Sequence, residues 1–248
     1  MRIGIVADVH GNEEALSAVL AAIQAVDQLV CLGDVVGYGA SPEPCIQMLR
    51  DAGAETILGN HELGLLGTLE LSWFNDLARA ALEWQRTQLS RESLGWVASL
   101  RQTLTFEDVL LVHGTPPSSP TRYTVTAFDV ERSMPFSSRR ICLVGHSHLP
   151  GLFVLSAGSD PRGPAKWKKR SAHANATFHY ENTDRVLINP GSVGQPRDGC
   201  PLAAFAILDT FRREITFHRV PYSVGEAQRK IEKAGLPGYL AERLALGH

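Results

Sequence analysis

No Cys-x-x-Cys pair occurs among the four cysteines of this 248-residue chain, Cys31, Cys45, Cys142 and Cys200. That excludes a zinc knuckle and a thioredoxin-like redox motif. Cys31 and Cys142 lie inside apolar runs, where a free cysteine packs as a small hydrophobe, and nothing calls for an oxidising compartment. Net charge is only −2, so the overall balance does not point to nucleic acid or to an acidic membrane surface. No apolar run approaches the ~20 residues of a membrane-spanning helix, and Met1-Arg2-Ile3-Gly4 is charged too early for a signal peptide. A cytoplasmic protein is expected. No internal repeat and no dividing linker is visible. Residues 1–248 therefore read as a single domain, long enough for a sizeable core.

What is present is a series of short apolar runs that end in glycine, aspartate, asparagine or histidine. Ile3 to Ala7 has no polar alternation, as expected for a strand covered on both faces. Glu13 to Val26 carries Ala15, Leu16, Val19, Leu20 and Ile23 at helical spacing, and Gln28 to Leu32 is the next strand. Such a β-α-β unit crosses over right-handed into a parallel pair. A helix over about 44–52 and a strand at Glu55 to Leu58 follow. Residues 62–100 lack proline, are rich in Leu, Ala, Glu, Arg and Gln, and hold Trp73, Phe74, Trp84 and Trp96. They read as a helical insertion of two or three helices.

Further on, Thr103 to Phe106 and Val109 to Val112 read as a hairpin, Phe128 to Met134 as a short helix and Arg140 to Val144 as a strand. Strand character returns at Gly151 to Leu155. Residues 156–176 form the least regular stretch, and their basic run Lys166 to Arg170 reads as a solvated hairpin tip. Strands are expected at Thr177 to Tyr180 and Arg185 to Asn189, a hairpin at Ala203 to Asp209 and Glu214 to Val220, and two closing helices. Parallel β-α units first and hairpins later predict an α/β fold, with two mixed sheets packed face to face and helices outside.

The organising stretch is Val30-Cys31-Leu32-Gly33-Asp34, an apolar run that delivers one carboxylate to a strand exit, where open α/β sheets place ligands. Four other stretches fit around it: Asp8-Val9-His10, Gly59-Asn60-His61-Glu62, His113-Gly114 and Gly145-His146-Ser147-His148. Five such elements after apolar runs predict a metal site. The His, Asp and Asn donors suit Mn, Fe, Zn or Ni, and the absence of cysteine ligands argues against a closed structural zinc.

In kind and in order, these five blocks resemble the calcineurin-like metallophosphoesterase superfamily. The later Asn189-Pro190-Gly191-Ser192 and Pro196-Arg197-Asp198-Gly199 resemble its small bacterial and archaeal branch, the YfcE-type phosphodiesterases. The resemblance implies a four-layer α-β-β-α sandwich and a site for two divalent transition-metal ions, manganese foremost. Matched position by position, Asp8, His10 and His148 would hold one ion, Asn60, His113 and His146 the other, and Asp34 would bridge them. It further implies hydrolysis of a phosphodiester or phosphomonoester by a hydroxide bridging the two metals. His61 would serve the leaving group, and Glu62, where many relatives carry Asp, could orient His61 or a ligand.

Arg197 is a candidate phosphate contact and Tyr38 a candidate stacking partner for a base or aromatic leaving group. The expected partner is a small phosphoester or nucleotide, with no membrane and no nucleic acid. Three alternatives stay open: a non-catalytic scaffold of the same fold, a dinucleoside polyphosphate hydrolase and a nuclease. Scaffolds of this fold lack a histidine matching His61. His173, His179, His218 and His248 match no ligand block.

Overall fold

The computed structural model describes residues 1–156, 167–172 and 174–248. Its first half sets out β1 (Arg2–Val6), α1 (Glu13–Ala22), β2 (Gln28–Cys31), α2 (Pro42–Asp51), β3 (Glu55–Thr56), α3 (Asn60–Leu65), α4 (Asp76–Gln88), α5 (Arg91–Ser99), β4 (Thr103–Phe106) and β5 (Val109–Val112). The second half adds α6 (Ala127–Ser133), β6 (Ile141–Leu143), β7 (Gly151–Leu155), β8 (Lys168–Ser171), β9 (Thr177–His179), β10 (Arg185–Asn189), β11 (Ala203–Asp209), β12 (Glu214–Val220), α7 (Val224–Lys233) and α8 (Tyr239–Leu246).

Two six-stranded sheets form, in the orders β3-β2-β1-β11-β12-β9 and β4-β5-β6-β10-β7-β8. Both are mixed. β1 runs parallel to β2 and antiparallel to β11, while β10 runs parallel to β6 and antiparallel to β7.

Strand alternation sorts the side chains into three layers. Ile3, Ile5, Val30 and Leu32 from one sheet meet Leu111, Leu143, Leu152 and Ile188 from the other in a buried seam. The opposite faces of the same strands, through Val6, Cys31 and Phe205, pack on Leu16 and Val19 of α1, Ile46 and Leu49 of α2, Leu82 of α4 and Leu240 and Leu244 of α8. On the far side, Leu110, Val112, Cys142 and Phe153 are covered by Val130, Met134 and Trp167. Both faces of each sheet are covered, so their strands read as unbroken apolar runs. This is the α/β sandwich expected, with a much thicker helical layer on the first sheet than on the second.

Several boundaries move. α1 stops at Ala22, short of Val26, because the chain turns extended at Ile23 and left-handed at Ala25. α2 begins at Pro42, a tolerated first-turn position. Asn60 and His61, expected at the exit of the third strand, open α3, and β3 is only two residues long.

The basic run is corrected as well. Lys168–Ser171 is a strand paired antiparallel with β7, and Trp167 is buried beneath it, so this part is no hairpin tip. Its charged side chains stay outside while the indole supplies apolar contact. Lys166, His173 and most of the irregular stretch lie outside the described residues. Among the described residues, no helix is long and apolar enough to cross a membrane.

Candidate metal centre

The loops leaving the carboxyl ends of β1, β2, β3, β5 and β6 converge at one edge of the seam. They bring Asp8, His10, Asp34, Asn60, His61, His113, His146 and His148 together, all buried. The backbone there is unusual. Asp8, His10, Asp34, Tyr38, His146 and His148 all have φ between +50° and +63°. Non-glycine residues rarely adopt this region, and such strain gathers at functional sites.

Four of these five rings, those of His10, His113, His146 and His148, are held by their outer nitrogen, whereas Nδ1 of His61 is buried without a partner. Nδ1 of His10 lies 2.9 Å from Val36 O, Nδ1 of His113 2.7 Å from Leu32 O, and Nδ1 of His148 2.6 Å from Gln195 O. A proton on Nδ1 donated to a carbonyl leaves Nε2 facing inward, with its lone pair available whenever the ring is neutral. His146 is reversed: its Nε2 meets Thr121 O at 3.2 Å, so Nδ1 faces in.

Inside, Nε2 of His10 and of His148 are 3.1 Å apart. Nε2 of His113 lies 3.2 Å from Nδ1 of His146 and 3.2 Å from Oδ1 of Asn60. Asp34 Oδ2 is 3.2 Å from His113 Nε2 and 3.8 Å from His10 Nε2. Two groups of donors result, Asp8-His10-Asp34-His148 and Asp34-His113-His146, with the donor atoms of each within 4.8 Å of one another. Asp34 belongs to both.

The donor set fits divalent transition metals. Lone pairs of two neutral rings 3.1 Å apart repel unless a cation or a proton lies between them. Asp8 Oδ2 is buried without a hydrogen-bond partner, the kind of orphan a cation would satisfy.

The protons of this cluster are rearranged accordingly. Burial pushes the Asp8 carboxyl up to about 7, partly opposed by His113. Burial alone would lower His113, but the charge and hydrogen bond of Asp34 raise it to about 9. Burial drives His10 and His148 well below the ordinary imidazole range. It takes His146 down to about 3 and His61 to about 4.

Glu62 takes a more definite part than the sequence suggested. One of its oxygens accepts N–H bonds from Asp34 and Gly59, both at 2.8 Å, and the other accepts from Val36 at 3.0 Å. The extra methylene that separates it from Asp lets the carboxylate reach across and pin the β2 exit to the start of α3. His61 N–H in turn donates to Asp34 Oδ1 at 2.9 Å. Two glycines make this closeness feasible. A Cβ on Gly59 would sit 2.1 Å from Asp34 Oδ1, and one on Gly37, at φ +93°, would sit 2.1 Å from His61 Nδ1.

The Asn189–Gln195 loop buckles the other side. Asn189 Nδ2 donates to Gly145 O and Ser147 Oγ, Ser192 Oγ donates to Asp8 O, and Gln195 O receives His148.

A cavity of about 130 Å³ opens over these donors, lined by Asp34, Asn60, His61, His146, His148 and Arg197 at its base. Tyr38, Trp73, Phe74, Asn75 and Tyr123 complete its walls. Arg197 Nη2 donates to Gln195 Oε1 at 3.1 Å, and its Nε is buried without a partner. No carboxylate pairs with it among the described residues; the adjacent Asp198 pairs with Arg219 instead.

Tyr38 is enclosed. Its ring centroid is 4.7 Å from that of His10 and 4.8 Å from that of His61, and the guanidiniums of Arg197 and Arg243 lie 5.9 and 5.6 Å from it. Of the four large aromatics in residues 62–100, Trp73 and Phe74 line this cavity, whereas Trp84 and Trp96 pack on the helical core. Tyr123 escaped notice in the sequence because no motif marks it; its ring stacks on His146 at 4.2 Å. His179 and His218 lie on β9 and β12, away from the cluster.

Comparison with known proteins agrees with this construction. A protein of Methanocaldococcus jannaschii described only as uncharacterised is 35% identical over 256 residues, covering 99% of this chain and 98% of its own length. The crystal structure of a metallophosphoesterase from Sphaerobacter thermophilus superposes with a TM-score of 0.87 at 36% identity, covering 100% of this chain and 99% of that one. A hypothetical protein from Pyrococcus horikoshii shares the fold, with a TM-score of 0.77 at 19% identity, covering 100% of this chain and 98% of that one. Residues 1–213 match the calcineurin-like phosphoesterase superfamily domain, and the chain therefore belongs to that superfamily of metal-dependent phosphoesterases.

Proposed function

We propose that this chain, acting as one domain with a helical insertion at 62–100, is a cytoplasmic hydrolase that cleaves phosphodiesters, and phosphomonoesters less readily, with two divalent ions. The observation that carries this reading is the carboxylate of Asp34, common to both groups of donors. Asp8, His10 and His148 hold one ion and Asn60, His113 and His146 the other, with manganese first and iron, zinc and nickel also suited to these donors. When bound, the ion pair supplies Lewis acidity at the phosphoryl oxygens and lowers the pKa of water.

The chain's own residues do the rest. Arg197, which lines the cavity, offers its guanidinium to a phosphoryl oxygen, whose geometry it matches. His61, with Nε2 4.0 Å from Asp34 Oδ2, gives a proton or a hydrogen bond to the leaving oxygen. Tyr38 walls the cavity and backs Arg197. Phe74, whose ring is 5.2 Å from that of His61, keeps bulk water from this side of the reacting group.

The test is turnover of bis-p-nitrophenyl phosphate and p-nitrophenyl phosphate by manganese-loaded protein, with and without chelator. Chelator-sensitive turnover, faster on the diester, is expected. Failure to hydrolyse either ester in protein shown to hold metal would sink the reading.

A further inference from the structure

Beyond Tyr123 the surface opens into a second hollow of about 340 Å³ that the catalytic proposal does not use. Tyr123 lines both this hollow and the metal cavity, so the two adjoin at this residue. The far wall carries Phe128 and Phe136, which are 62% and 73% exposed. Large apolar rings left in water at the edge of a catalytic cavity need a reason.

The charge here is equally specific. The Arg132 guanidinium lies over the Phe128 ring, 5.4 Å from its centroid, and Arg122 lines the same hollow. Neither arginine has a carboxylate within ion-pair distance among the described residues, where the ion pairs are formed by other side chains. Asp129, the acidic residue of this wall, is committed to the α6 capping box, accepting from Thr126 N–H and Oγ1 at 2.8 Å. The wall therefore offers aromatic rings together with two arginines that form no ion pair among the described residues, Arg122 acting on Asp129 only at longer range, the combination that takes a base with its attached phosphate. On the other side of the metal cavity stand Trp73 and Phe74. Two aromatic arms thus flank a single reacting centre.

Resting on the phosphoesterase reading above, we propose that the Tyr123-Phe128-Arg132 hollow is a second base-and-phosphate subsite, so that the preferred substrate carries an aromatic base on each side of the scissile phosphate. Water adds across one P–O bond: its oxygen stays on phosphorus, and the leaving oxygen departs with a proton. One base then leaves through each arm. A dinucleotide phosphodiester and a dinucleoside polyphosphate share this chemistry.

The test compares kcat/KM on three substrates: adenylyl-adenosine, diadenosine tetraphosphate and p-nitrophenyl phosphate, the last with no second base. In the Phe128→Ala/Arg132→Gln protein, the ratio of a two-base substrate to p-nitrophenyl phosphate should fall about tenfold or more, the loss of one stacked base. Which of the two substrates shows the larger fall names the linkage. Phe128→Trp, which keeps a ring, should retain the wild-type ratio. Calorimetric binding of a hydrolysis-resistant phosphorothioate dinucleotide should weaken in parallel.

An unchanged ratio, with equal loss on all three substrates or none, overturns the subsite while leaving the phosphoesterase reading standing. Absence of turnover on any substrate by wild-type protein overturns that reading instead.

Discussion

Around Asp34 the donors are buried at the carboxyl ends of the strands, and His10, His113, His146 and His148 are each held from behind by a backbone carbonyl. At the cavity mouth, Trp73, Tyr123 and Phe128 come from a three-residue 3-10 turn, a loop and a short helix, and stand largely in water. Tyr123 stacked on His146 joins the two regions on one side, and Trp73 against Phe74, itself against His61, on the other. The difference separates two tasks. Positioning ions to a fraction of an ångström needs a rigid frame, whereas choosing among substrates needs only surface that can vary without disturbing that frame.

Substitution can break this contrast, and the deepest position should cost most. Asp34→Ala removes the one carboxylate shared by both donor groups. It should lose bound metal, read by elemental analysis, and drop turnover to that of chelated protein. Full metal content in this variant would end the bridging assignment. His61→Ala should lower kcat by about 10²–10⁴-fold with metal retained; loss of both metals would instead make His61 a part of the frame.

Glu62→Gln tests whether the frame is tuned from behind. It leaves the shape but replaces a carboxylate that accepts three N–H bonds, and should lower metal affinity or activity about 10–100-fold. Glu62→Asp, too short to reach both loops at once, should not restore it. At the rim, Trp73→Ala should raise KM for an aryl or nucleotide ester by several-fold, about what one stacked ring contributes, and should leave metal affinity alone.

Proton release sharpens the contrast further. Without metal, Asp34 holds the proton on His113 up to about pH 9. A cation bound there at pH 7.5 must expel it, so affinity should rise with pH until about 9. Calorimetry in buffers of different ionisation heat should detect close to one proton released, or more where Asp8 also gives one up. Trp73→Ala should not alter that number. Binding without proton release would show that His113 is not a ligand.

Much of the frame was legible in the chain itself. Apolar runs without alternation announced strands buried on both faces, and the residue after each run supplied the donor. The rim was not legible, because Tyr123 and Phe128 stand in no periodic pattern and acquire meaning only beside His146 and Arg132. Glu62 was visible but ambiguous: the sequence could not show that its longer arm spans two loops. Trp167 within a run of lysines and arginine suggested a solvated tip, and only the pairing of β8 with β7 turned the indole inward.

Covalent order along the chain determined which residue types stand at the ends of apolar runs, and with them the fold class and the kind of ion the site can take. Those depend on local pattern and on donor chemistry, which survive unfolding. Tertiary structure alone decided that Asp34 lies within reach of both donor groups, which nitrogen each histidine turns inward, and that an aromatic hollow adjoins the metal cavity. These depend on distances between segments far apart along the chain, set by how two sheets pack and by six residues held at positive φ, and no stretch of sequence carries such distances.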